Sequence, residues 1–205
     1  MIEIRRLDTY DKSIVKEIVN IHMHTFTGFF LTFMGKGFLQ QMYSSYISHA
    51  DSGIYVASLN GKTIGFLSYS KNMSNLYKFM IKKKLISFAW YSLGAFFRKP
   101  KAFMRIIRAF LKPGESRREE KYVELSSIGV LPEEKTKGVG SLLISKLKEN
   151  VDYNQYEYIS LETDADNNVA ANKFYLKNGF KLVKEYQTRE GRKMNEYRYR
   201  KEKDE

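Results

Sequence analysis

Residues 122–150, YVELSSIGVLPEEKTKGVGSLLISKLKEN, constrain the fold more than any other stretch of the chain. The first nine, 122–130, are rich in apolar and β-branched side chains and read as a strand. Pro132 ends that strand, and residues 133–137 make a short charged loop. Gly138 and Gly140 follow, after which Leu142, Leu143, Ile144 and Leu147 recur at helical spacing. A strand, a glycine-bearing loop and a helix start in that order make an anion cradle. The N–H groups of a first helical turn lack intrahelical partners, and the helix dipole adds partial positive charge where they converge. Glycine suits the loop because a Cβ would hold a phosphate away from the backbone. The spacing K-x-x-G-x-G is neither the Walker pattern nor G-x-G-x-x-G. Taken alone, the same residues also read as a tight strand–helix turn.

A second stretch, NNVAANKFYLKNGFKLVKEY, lies about thirty residues on and carries Asn168, Ala171, Phe174, Tyr175, Gly179 and Phe180. Together the two stretches resemble the GNAT superfamily, N-acyltransferases that use acyl-coenzyme A. The family's pyrophosphate loop, Q/R-x-x-G-x-G/A, is matched by Lys135, Gly138 and Gly140. Its second signature, N-x-x-A-x-x-F/L-Y followed by G-F, is matched by Asn168 through Phe180. Val130 and Pro132 ahead of the loop also look like the family. Lys135 departs from the usual Gln or Arg, keeping charge but losing the planar fork.

The resemblance implies an α/β fold: a mixed, mostly antiparallel sheet flanked by helices, with acetyl-CoA in the cleft between the fourth and fifth strands. It implies that the backbone of Lys135, Thr136, Lys137, Gly138, Val139, Gly140 and Ser141 cradles the pyrophosphate. It places a free amide for the thioester carbonyl near Ile128, with Val130 pairing to the pantetheine arm, and Asn168 and Ala171 beside it. An ordinary paired strand is the alternative there. Acetyl transfer to an amine needs a neutral amine, a polarised carbonyl and a proton for the leaving thiolate. By the family pattern Tyr175 is the general acid; core packing is its other reading. Glu124 stands where some members carry a glutamate base. On alternating geometry it shares a face with Ser126 and Ile128. An exposed strand carboxylate, with ordered water as the base, reads equally well. Acetyl is the default donor group.

The rest of the chain fits this frame. Residues 1–6 alternate apolar and charged, and Asp8 or Asp11 can cap a helix carrying Ile14, Val15, Ile18, Val19 and His22. The aromatic stretch FTGFFLTFMGKGF follows; Phe29 and Phe30 in it are core residues or, by family analogy, line the acceptor pocket. A second helix is expected over 38–49. Strands over 54–59 and 63–69 close a hairpin at Asn60-Gly61, a strong type I′ signal. Late in the chain, 180–186 and 192–200 form a hairpin about Glu190-Gly191, and 201–205 is a charged tail. Residues 1–200 therefore read as one domain.

There is no cysteine, so no disulfide, thiolate zinc site or cysteine nucleophile is available. His22, His24 and His49 suggest no metal site. A charged N-terminus and the lack of a long uncharged apolar run suggest a cytoplasmic protein.

Charge is unevenly spread. Residues 71–121 hold fourteen Lys/Arg against three Glu, a net of +11, while the remainder nets +1. This segment is longer than a minimal GNAT connection between the third and fourth strands and reads as a helical insertion. Leu76 through Phe97 suggest one helix, and Phe103, Ile106, Ile107, Phe110 and Leu111 the apolar face of another. Four readings compete: a solvated hairpin, a cleft wall holding an anionic acceptor such as an amino sugar nucleotide, a peripheral anchor on anionic lipid, and a dimer interface in place of a monomer. No nucleic-acid-reading motif occurs, so no nucleic acid is expected. A non-catalytic module docking through the insertion, on membrane or nucleic acid, is the alternative to an enzyme.

Overall fold

In the computed structural model, the structure describes residues 1–98, 100, 120–188 and 191–202, without the side chains of Phe30, Ala95, Arg98, Lys135, Thr136 and Lys137. The second helix expected over 103–111, residue Glu190 and the end of the charged tail lie outside them.

The alternating N-terminus forms β1 (Ile2–Arg6). Asp11 starts α1 (Lys12–Thr25), its carboxylate accepting from the N–H groups of Ser13 and Ile14, which satisfies two of the orphan donors. Val15, Ile18, Val19 and His22 bury one stripe of that helix. A short helix, α2 (Phe30–Met34), precedes α3 (Lys36–Ser48). The sequence suggests only one helix here. Left-handed turns at Gly28 and Gly35 bracket the extra turn, and the Thr32 hydroxyl donates to the Phe26 carbonyl at 2.6 Å.

Strands β2 (Ser52–Leu59) and β3 (Lys62–Ser70) meet at Asn60 and Gly61, both at positive φ, as the hairpin signal requires. Helix α4 (Met73–Arg98) leads out of β3 and breaks from helical geometry at Lys84. Its first half sinks Leu76 and Met80 into the main core. Strand β4 (Tyr122–Val130) is followed by a 3-10 turn, Pro132–Lys137, where sequence suggests a loop. Then come α5 (Val139–Glu149), β5 (Tyr158–Asp164), α6 (Val169–Lys177), β6 (Lys181–Gln187) and β7 (Lys193–Tyr199).

The strands make one seven-stranded sheet in the order β1-β2-β3-β4-β5-β7-β6. Only β4 and β5 pair in parallel; the other pairs are antiparallel. Gly129 of β4 faces Ile21 and Phe26, whereas Gly65, opposite its neighbour Val130, faces Val139. Successive strand residues point to opposite faces, so α1 and α5 cover opposite sides of the sheet. The core is continuous across both.

Candidate active site

The sheet opens at its centre. Strands β4 and β5 pair through three positions only, Tyr122 with Tyr158, Val123 with Ile159 and Glu124 with Ser160. Beyond Glu124, the described pairs of β4 are to β3 alone. Alternate N–H and C=O groups of residues 125–130 therefore face a gap. Ile128 and Val130 lie in this stretch, opposite Leu67 and Gly65 of β3. A β-bulge leaves Ser126 without a partner in β3, whose Ser68 pairs with Ser127 and Tyr69 with Leu125. The bulge changes the phase of the alternation: Glu124 and Ile128 face opposite sides of the sheet, so the single face expected for them does not hold.

The gap leads to the glycine loop. Gly138 sits at φ +73 as the N-cap of α5, and no side chain caps that helix. The first described bond into its N-terminal turn runs from the N–H of Leu142 to the carbonyl of Gly138. The N–H groups of Val139, Gly140 and Ser141 precede it in the position of orphan donors. Among the described residues a Cβ on Gly138 would meet nothing within 4 Å, which leaves open space at the helix end. Gly140 is different. A Cβ there would come within 2.9 Å of the Phe174 ring and 3.9 Å of Ile128 Cδ1. Close packing of α6 demands this glycine, not only approach of an anion. That contact brings the two signature stretches and β4 together.

Asn168 stands at the N-cap of α6 but does not cap it; its amide donates to Thr163 Oγ1 at 2.7 Å. Asn172, one turn on, does more to hold the helix. Its Nδ2 donates to the carbonyls of Asp164 and Asn168, and its Oδ1 accepts from Asn195 Nδ2 and the Tyr197 hydroxyl, both at 2.8 Å. Ala171 is partly buried against the core. Tyr175 is buried, with Phe174, Phe180 and Tyr197 rings at 5.4–6.0 Å. Burial pushes its pKa well above the usual phenol value. Among the described residues its hydroxyl has no hydrogen-bond partner.

On the α1 face of β4 lies a polar cluster. The His22 ring, 2% exposed, bonds through Nδ1 to the Tyr43 hydroxyl at 2.6 Å. Tyr43 is also within reach of the Ser127 hydroxyl, and Tyr46 of Ser126. Burial lowers the pKa of His22 to about 4. Tyr77 of α4 is half-buried nearby, its pKa raised first by desolvation and then by the charges of Glu124 and Glu162. Glu124 is half-buried in this surround. The start of the insertion thus lies close to Glu124. Sequence reasoning did not single out Tyr43, Tyr46, Tyr77 or Asn172, and named Ser126 only as a neighbour of Glu124 on one face. The three-residue step between Tyr43 and Tyr46 is the one signal that pointed their rings to a common face.

Phe29 is 40% exposed and edge-on to Phe26. It lines a cavity of about 380 Å³ with Asp164, Asp166, Asn168 and Arg192, where Arg192 pairs with Asp164 at 2.7 Å. Phe30 opens α2, but its side chain is outside the described set. A wider cavity of about 510 Å³ lies between α1 and the 3-10 turn, lined by Lys16, His24, Lys62 and Pro132, and touches none of the expected residues. Among the described residues, no group of three or more acidic or histidine side chains is placed to hold a metal.

Known proteins with this architecture share most of its length. A GNAT-family protein from Desulfovibrio desulfuricans superposes with a TM-score of 0.63 at 15% identity, covering 98% of this chain and 99% of the other. The ribosomal-protein-S18-alanine N-acetyltransferase of Escherichia coli gives 0.58 at 15%, covering 98% and 94%. NAA60 of Arabidopsis thaliana, solved with acetyl-CoA, gives 0.57 at 17%, covering 98% of both. At such identities these establish the fold. Among curated proteins none matches at a significant level. A sequence model of the Acetyltransferase (GNAT) family matches residues 15–180, a span that takes in the glycine loop and the signature from Asn168 through Phe180, and the chain belongs to that family.

Proposed function

We propose that the protein transfers an acetyl group from acetyl-CoA directly to the primary amine of a small acceptor. The observation that carries this reading is the sheet opening after three β4–β5 pairs into a gap that ends at an uncapped helix with an open glycine corner. A pantetheine arm is an extended amide chain and suits a half-paired strand, as a third strand would. Its pyrophosphate suits the orphan N–H groups of Val139, Gly140 and Ser141, with the backbone of Lys135, Thr136, Lys137 and Gly138 around it. Ile128 and Val130 supply main-chain partners for the arm, and Asn168 and Ala171 flank it.

In the reaction, the acceptor nitrogen attacks the thioester carbon and forms the C–N bond as the C–S bond breaks. Glu124, directly or through water, takes the proton of the amine. Tyr175 gives a proton to the sulfur; burial keeps its phenol protonated until the thiolate develops, though it also weakens the acid. An N–H in the gap near Ile128 polarises the carbonyl. Phe29 contacts the acceptor at the cavity mouth, and Phe30, next in the chain, is the second candidate contact. The charges lining that cavity balance, two Asp against Arg192 and Lys193, and favour neither a cationic nor an anionic acceptor. An amino sugar nucleotide is the first amine to screen, on the strength of the basic insertion.

Calorimetric titration with acetyl-CoA tests the reading. Gly138→Asp is the informative variant, because Asp tolerates positive φ, its Cβ meets no described neighbour and its carboxylate repels an anion at the cradle. Micromolar binding that the variant abolishes supports the site. Absence of binding by the wild type at millimolar ligand sinks it.

A further inference from the structure

We propose that the outer face of the second half of α4 docks on an anionic lipid surface. Ile81, Leu85, Ile86, Trp90, Leu93 and Phe97 are 40–85% exposed. Ile86, Trp90, Leu93 and Phe97 recur at steps of three and four residues and form one stripe along the helix, with Leu85 beside it and Ile81 ahead of the break at Lys84. The other side of the helix is held by the protein. Phe88 packs on Phe38 at 4.8 Å, Tyr91 covers Gly37, and Ser92 is 5% exposed. The stripe is therefore fixed outward by contacts beneath it. Soluble proteins seldom expose so continuous an apolar row without a partner for it.

Charge selects the partner. Lys78, Lys82 and Lys83 are exposed on the same helix, and residues 71–114 carry eleven Lys/Arg and no Asp or Glu. A second copy of the chain would set this all-basic segment against itself, since a two-fold contact uses the same patch twice, and lysine is depleted at protein interfaces. A nucleic acid would take the lysines but leave Ile86, Trp90 and Phe97 in water. A membrane surface of anionic headgroups satisfies both halves: apolar rings enter the headgroup–acyl boundary while ammonium groups stay among phosphates and carboxylates. Among the described residues no helix is long and apolar enough to cross a membrane, so α4 would lie in the plane. Docking is independent of the reaction proposed above.

Trp90 is the only tryptophan in the chain and reports from the stripe itself. The full chain is mixed with phosphatidylcholine vesicles, with and without phosphatidylserine, and followed by Trp90 emission and co-sedimentation. A blue shift and pelleting with the mixed vesicles alone, weakened by salt, are expected. Lys82→Glu with Lys83→Glu should weaken partition by at least about fivefold per lysine. Ile86→Ser with Phe97→Ser should abolish pelleting without changing the circular dichroism, because both side chains are exposed. No shift with the mixed vesicles at low salt overturns the proposal. So does a shift that follows protein concentration without lipid, which would assign the stripe to a second copy. So does a Trp90 already shielded from an aqueous quencher in the lipid-free protein, which would assign it to residues 101–119 of the chain itself. No acetyl-CoA enters the assay, so its failure leaves the acetyl-transfer reading untouched.

Discussion

Tyr175 is a core side chain to which we also give the acid role. Three rings hold it, and burial keeps its phenol protonated. Tyr175→Phe retains the ring and removes only the O–H, so the variant should fold and bind acetyl-CoA normally while kcat falls by roughly 10²-fold. Thiol release beside calorimetric affinity checks this; an unchanged kcat would remove Tyr175 from the acid role. His22 makes a different residue-level prediction. Its folded pKa is about 4 against 6.5 for the free side chain. The unfolded chain therefore binds the extra proton first as pH falls. Stability from this group is complete above pH 6.5 and is lost as pH falls toward 4, amounting to about 3 kcal/mol over that window. Urea unfolding of the wild type should lose more stability between pH 7 and about pH 4.5 than His22→Gln. Parallel losses would show that the buried imidazole already charges in the folded state. Sequence set His22 with the apolar positions of α1 and left His24, two residues away, off them; the structure agrees, turning His22 toward Tyr43 and leaving His24 in solvent.

At the scale of elements, the two glycines of the loop separate by mechanism. Gly138 is at positive φ with open space around it, so Gly138→Ala should cost only about 1 kcal/mol of backbone strain. Gly140→Ala drives a methyl into the Phe174 ring and should cost about 1–3 kcal/mol as overpacking. In the Phe174→Leu background that penalty should shrink, giving a non-additive cycle in denaturant unfolding. Additive losses would mean α6 does not seat on the start of α5. Most elements were legible in sequence because local physics dictated them. Asp11 could cap only a following helix, and Asn60-Gly61 suited only a tight hairpin. The short α2 was not legible, since four apolar residues and one threonine over five positions carry no period. The bulge at Ser126 was not either, because it arises from pairing with β3. Its phase change is why Glu124 and Ile128 do not share a face.

For the whole molecule, three residue pairs join a β1–β4 slab to a β5–β7 slab, and everything proposed for catalysis straddles that seam. The two signature stretches could reveal that a seam exists by resemblance, but its depth follows from where β4 and β5 diverge, which no local pattern encodes. A ligand that fills the gap adds main-chain bonds where β4 now lacks a second neighbour, so it should tie the slabs together. Acetyl-CoA at a hundredfold excess over Kd should add about 2.7 kcal/mol of stability and raise Tm by roughly 5–10 °C. Global stabilisation alone would slow exchange everywhere that opens by global unfolding. The seam predicts more: amides of residues 125–130 and of the first turn of α5 should gain the largest protection, because they exchange by local exposure in the free protein. Hydrogen exchange with and without acetyl-CoA reads this directly. Protection gained evenly over the sheet, or centred on the cavity beside α1, would place the ligand elsewhere. A gain confined to the seam would show that donor binding completes the sheet.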